Sequence, residues 1–165
     1  MVTQLPVRIE FSLPEGWQAA PPDEVGAPGV AFVALHPASA NGFTANLTIA
    51  GQFREPELSM DAIAEESVHR LEETAGSVRV RKRREVGSAD APGITQVLDI
   101  EVGAEHPLEL VQCQVFVSMQ DVDDPARRAV LELVLTCTRA QLDDVFEDFQ
   151  EFVRTVRPAG PSAAD

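Results

Sequence analysis

Two long alternating segments near the C-terminal end, followed directly by an amphipathic stretch, constrain this chain more than any other feature. From Leu108 to Met119, the residues Val111, Cys113, Val115, Val117 and Met119 fall on one face; from Ala129 to Thr138, Leu131, Leu133, Leu135 and Cys137 do the same. A period of two is that of a strand with one side turned to a core. The polar stretch around Asp121 to Arg128 joins the two, so together they predict a hairpin with one uninterrupted apolar wall. Thr138 and Gln141 then have the spacing of a capping box, and Leu142, Val145, Phe146, Phe149, Phe152, Val153 and Val156 recur at helical spacing before Pro158. A helix that starts where the second strand stops is expected to lay this stripe on the wall.

The opposite faces of the two strands carry Leu108, Leu110, Phe116, Val130 and Val134, which require a second cover. Either the N-terminal strands or a first helix supplies it. Val7 to Leu13 alternates like a half-buried strand, Val30 to His36 is apolar enough to be buried on both faces, and Phe43 to Ile49 alternates after a turn at Pro37 to Gly42. Between Ser59 and Ala75 the period becomes helical, with Ser59 as cap, Leu58 and Ile63 as a hydrophobic staple and Gly76 as terminator. Val78 to Val86 and Ile94 to Val102, joined by a turn-rich stretch, predict another hairpin. The expected class is α+β, a mainly antiparallel sheet flanked by helices on both sides. One domain over residues 1–158 and a disordered tail over 159–165 are expected.

Composition limits the partners. The chain has 165 residues, 44% of them apolar, enough for one core. With eight Phe, one Trp and no Tyr it lacks stacking platforms for bases, and 27 acidic against 13 basic residues leave a net charge of −14 that repels phosphate backbones and anionic headgroups. Nucleic acid and membrane are therefore not expected as partners. No apolar run approaches the roughly 18 residues of a membrane span, and Met1 to Pro6 does not read as a secretory leader, so a cytoplasmic protein is expected. Twelve of the basic residues are Arg and only Lys82 is Lys, a bias typical of GC-rich, for example actinobacterial, genomes.

Phe11-Ser12-Leu13-Pro14-Glu15-Gly16-Trp17 resembles the F-x-x-P-x-G-W opening of the PsbP-like superfamily, especially its actinobacterial LpqN-type proteins. Phe43 to Ile49 is similar to that group's F-x-x-N-hydrophobic strand, Gln112 to Val117 to its Q-x-Q strand, and Leu133 to Thr138 to its L-x-L-T-x-T ending. The resemblance implies an α/β/α sandwich with a mainly antiparallel sheet. It also implies binding rather than catalysis, because relatives include an extrinsic photosystem subunit, a Ran-binding nucleotide-release factor and chaperones that load secretion effectors. Met1 to Pro6 resembles neither the signal peptide nor the lipobox of the lipoproteins, so surface anchoring is not expected, and the family supplies no catalytic residues to transfer.

Two sets of residues stand out as binding candidates. On the second face of the long hairpin, Gln112, Gln114, Glu132 and Thr136 sit among Phe116 and Val134, the mix of fixed polar groups on apolar ground that a peptide or small-ligand groove needs. The run Arg79 to Arg84 holds five of the thirteen basic residues; Arg79, Arg81 and Arg83 are expected on one strand face, as a dock for an acidic partner or as a charged guard on a sheet edge. Trp17 is expected to plug the core. If Phe116 pairs with Glu132, Cys113 faces Leu135 and lies diagonal to Cys137 at roughly 7 to 8 Å, beyond the roughly 4.4 to 6.8 Å of a disulfide. Both are expected as buried free thiols. His36, His69 and His106 have no metal-ligand spacing, and neither a metal nor a cofactor is expected. The reading is a non-enzymatic binding module, an adaptor or chaperone, with a protein or peptide partner. The alternatives are a small enzyme using His69 with a neighbouring Glu, and a structural homodimer.

Overall fold

The computed structural model describes residues 5–22, 30–40, 43–88, 91–103, 105–120 and 128–158; the expected tail and the 121–127 linker lie outside them. The described chain runs β1 (Ile9–Glu10), β2 (Gln18–Ala20), β3 (Phe32–Ala40), β4 (Phe43–Arg54), α1 (Met60–Glu72), β5 (Ser77–Gly87), β6 (Pro92–Val102), β7 (Leu108–Gln120), β8 (Arg128–Thr138), α2 (Arg139–Thr155) and β9 (Arg157–Pro158). Seven strands form one sheet in the order β2-β3-β4-β8-β7-β6-β5, antiparallel at every pairing. The long hairpin β7–β8 therefore lies inside the sheet.

Its register is the one the alternation demands. Phe116 pairs with Glu132 and Cys113 with Leu135. Val111, Cys113, Leu133, Leu135 and Cys137 form a dry wall, closed by Val145, Phe149 and Phe152 of α2. Completely burying a side chain such as Phe152 contributes about 1.5 to 3 kcal/mol. The helix is fixed at its start by the capping box: Gln141 N–H donates to the Thr138 hydroxyl at 3.2 Å, and Thr138 N–H donates to Gln141 Oε1 at 2.8 Å. The amide of Gln141 then donates to the Phe43 carbonyl at 2.8 Å, tying α2 to β4.

The other face is covered by α1, which packs over β5 and β6. Met60, Ile63 and Ala64 meet Ile94, Phe116 and Val130, while Val68 meets Leu98, Ile100 and Leu110. Ser59 caps the helix by accepting from Ala62 N–H at 3.0 Å, and Leu58 joins the Ile63 cluster as the staple expectation had it. Gly76 is not the terminator: the helix stops at a Glu73 cap, and Gly76 N–H instead donates to the Glu101 carbonyl where the chain enters β5.

Three strand expectations change. Within Val7 to Leu13 only Ile9–Glu10 pairs, with Arg157–Pro158 of β9, outside the main sheet. The alternation still has meaning, because Ile9, Phe11 and Leu13 pack into the α2 core from an extended segment. The N-terminal residues thus join the α2 side, and α1 is the second cover. Pro37 lies within β3, not in a turn; a register shift between Leu35 and Ser39 accommodates a residue with no N–H to donate. The third change is a bulge in β5, between Val80 and Lys82.

The F-x-x-P-x-G-W segment is a tight turn. Trp17 N–H donates to the Pro14 carbonyl at 3.3 Å, and Gly16 takes φ 90°, which a type II turn requires at that position. The turn delivers Trp17 into the core, where its indole donates to Asp148 of α2 at 2.9 Å.

Candidate binding site

Neither helix spans the whole sheet. On one face α1 covers β5 and β6, leaving β4 and β8 open beside it; on the other, α2 covers β8, β7 and β4, leaving β5 and β6 open. Two grooves result, diagonally opposed across the sheet.

The groove beside α1 is built by alternate residues of three strands. Two adjoining hollows, of about 320 and 410 Å³, share Thr48, Arg70, Glu132 and Val134. Gln112, Gln114 and Thr136 line the first, and Phe116, Val130 and Ile63 the second. The polar-on-apolar face expected from the hairpin is therefore a groove, and Gln112, Gln114 and Glu132 are together in it.

Gln112 and Gln114 belong to a relay that crosses the sheet under α1. Arg83 donates to Gln96 Oε1 from Nε at 3.0 Å and Nη2 at 2.8 Å. Gln96 donates to Gln114 Oε1 at 2.6 Å and to the Ala64 carbonyl of α1 at 3.2 Å; Gln114 donates to Gln112 Oε1 at 2.8 Å. Guanidinium has donors and no acceptor, so it turns the first carboxamide oxygen toward itself, and each amide must then pass its N–H onward. The polarity of the whole chain follows from Arg83. Its end is the Gln112 amide nitrogen, left as a donor at the groove. Gln96 and Gln114 are buried, which makes this satisfaction necessary as well as directional.

Further along the same groove, across from Phe116, stands an acceptor. Glu132 is half-buried, and burial pushes its carboxyl above the usual range; Arg70, at 3.4 Å, and a hydrogen bond from Ser67 offset part of this. Arg54 closes the far side of the groove with a two-armed contact to Glu66 of α1 at 3.0 and 2.6 Å, which holds the Glu66 carboxyl below its ordinary range. The groove thus offers a neutral donor, a charge-bearing acceptor and apolar ground between them.

The basic run divides. A bulge between Val80 and Lys82 inserts Arg81 into β5, so residues before and after it change sides. Arg79 and Arg81 turn to the α2 face and both bond Asp99, at 3.1 Å from Arg79 and through Nε at 3.1 Å from Arg81. Those contacts, Arg81 foremost, hold the Asp99 carboxyl below its usual range. Arg83 turns to the α1 face, into the glutamine relay and against Glu65 at 2.7 Å. The expectation that Arg79, Arg81 and Arg83 share a face is therefore corrected: an alternation count assumes no extra residue. The strand is a sheet edge, as its guarding charges suggested.

Cys113 and Cys137 are buried and unpaired, and burial pushes their thiols up to about 11 and about 12. His69 is 72% exposed on the solvent side of α1, beside Glu72 at 3.3 Å and Glu65 at 3.8 Å, and lines neither groove. Among the described residues no three metal-ligating side chains cluster, and no helix is long and apolar enough to cross a membrane. Sequence reasoning missed Gln96, Arg70 and Ser67. Gln96 had a legible signal, being a polar residue at a core-facing position between Ile94 and Leu98.

A mostly antiparallel sheet with one helix on each face is an α+β fold, and it resembles the PsbP-like fold. LpqN of Mycobacterium tuberculosis, involved in cell envelope biogenesis, superposes with a TM-score of 0.64 at 10% identity over 91% of this chain and 83% of its own. The cyanobacterial PsbP protein CyanoP of Synechocystis sp. PCC 6803 gives 0.59 at 12% identity over 92% and 86%. PA94 of Pseudomonas aeruginosa, a protein of unknown function, gives 0.58 at 18% identity over 93% and 99%. No protein-family model matches the sequence, and no curated protein does. At such identities the likeness concerns the fold alone.

Proposed function

We propose that this chain is a non-catalytic binding module, an adaptor or chaperone-like protein, that holds a peptide segment in the groove between α1 and strands β4 and β8. The observation that carries the reading is the oriented relay from Arg83 to Gln112, which ends in a donor lining the same groove as the Glu132 carboxylate. A peptide bond presents one acceptor and one donor, and a basic side chain would satisfy Glu132 further. Apolar side chains have Val134, Phe116 and Val130 to rest on. The net charge of −14 favours a basic or neutral partner over an acidic one.

A homodimer joined through β5 edges is disfavoured by charge, since Lys82 and Arg84 of one copy would meet those of the other. The test is selection from a random peptide library, followed by affinity measurement on wild type and on a Gln112→Ala, Glu132→Ala double variant whose fold is checked by circular dichroism. At least a tenfold loss in the folded variant is expected. Equal affinity would remove the groove from the account.

A further inference from the structure

The diagonally opposed groove, between α2 and the β5–β6 edge, has a different chemistry. It encloses about 440 Å³, within the range of roughly 300 to 1,000 Å³ common for small-molecule sites. Val97, Val115, Phe149 and Val153 form its floor, and Val86 and Phe146, two of the most exposed large apolar side chains described, form its lip. Cations occupy the rim: Lys82 and Arg84 from β5 and Arg154 from α2. The bulge at Arg81 puts Lys82 and Arg84 on this face. Arg154 is engaged by Glu151 at 3.2 Å, whereas Lys82 and Arg84 have no ion pair among the described residues. In a chain carrying −14, this apolar trough has at its edge two cations without an ion pair among the described residues.

We propose that this groove binds a single-chain anionic amphiphile, a medium-chain carboxylate, with its alkyl tail on Val97, Val115 and Phe149 and its headgroup at Lys82 and Arg84. Charge decides between this occupant and larger ones of the same sign. An acidic protein or an anionic bilayer meets the whole negative surface of the chain, while a monovalent headgroup lies within the Debye length, about 8 to 10 Å, of the two rim cations. The site opens on the opposite face of the sheet from the peptide groove, and Gln114 borders both.

The test is calorimetric titration of the full chain with decanoate below its micellar concentration, beside octanoate, decyltrimethylammonium and phosphatidylglycerol vesicles. One decanoate per chain is expected. Octanoate, two methylenes shorter, should bind about fifteenfold more weakly, since each buried methylene is worth about fourfold in affinity. Decyltrimethylammonium and the vesicles should bind at least tenfold more weakly than decanoate. In a Lys82→Glu, Arg84→Glu variant the preference should invert toward decyltrimethylammonium. Both side chains are exposed, so the fold should persist; Lys82→Gln, with a severalfold loss, serves if the double variant does not fold. Absence of saturable decanoate binding, equal binding of the two headgroups by wild type, stronger binding to vesicles, or no effect of charge reversal would overturn the proposal.

Discussion

The two faces of the central hairpin come from the same two strands, yet one is sealed and the other is left half open. On the α2 side every inward residue of β7 and β8 near the helix is apolar, and a capped, Phe-bearing helix covers it. On the α1 side the same strands place Gln112, Gln114, Glu132 and Thr136 among the apolar residues, and the helix stands to one side. Polar groups under a helix must be satisfied in full, which the relay achieves for Gln96 and Gln114; those not covered become a surface for something else. The contrast is between a face that stabilises and a face that is available.

The contrast can be broken most forcefully on the sealed side. Phe152→Ala should cost about 3 to 5 kcal/mol in denaturant unfolding, because the side chain is fully buried against the wall. A loss below about 1 kcal/mol would mean that α2 is not the seal. On the open side, Arg83→Met removes the relay's first donor and leaves the Gln96 oxygen short of partners, at about 1 to 3 kcal/mol. The same experiment therefore separates packing from polar satisfaction. Thr138→Ala should cost about 0.5 to 2 kcal/mol through the lost helix cap. His69→Ala, an exposed site with helix-surface partners, should stay within about 0.5 kcal/mol.

Acidity sharpens the comparison further. The Glu132 pKa is raised by burial, so the folded state holds this proton more tightly than the unfolded state does. Its contribution to stability is greatest at low pH and declines as pH rises from the ordinary carboxylate range through the higher folded value. Asp99, whose pKa is lowered, behaves oppositely, contributing at neutral pH and losing it as pH falls through its depressed value. Glu132→Gln should accordingly raise the melting temperature near pH 7 and have little effect at pH 3. An equal shift at both pH values would contradict the buried placement of this carboxyl.

Much of the fold was legible because the sequence patterns are strict where packing is strict. The hairpin register, the wall, the N-caps of both helices and the unpaired thiols follow from alternation and from residue spacing. What escaped was not periodic. A single bulge at Arg81 reassigned Arg79 and Arg81 to one face and Arg83 to the other, and no count of alternating residues contains an insertion of one. The site was half legible: Gln112, Gln114 and Glu132 were visible as polar residues on an apolar face, but Gln96 and Arg83, which orient them, sit on different strands and meet only through tertiary pairing. Arg70 and Ser67 come from α1, whose position over the sheet no local pattern specifies.

The central claim is that Arg83 polarises a buried chain of carboxamides and leaves one amide at the groove. Hydrogen exchange of the glutamine side-chain amides, followed by NMR on the uniformly ¹⁵N-labelled protein, reads this without any ligand. The account predicts slow exchange for Gln96 and Gln114, fast exchange for Gln112, and loss of the protection in Arg83→Met. Equally fast exchange at all three positions in the wild-type protein would contradict it.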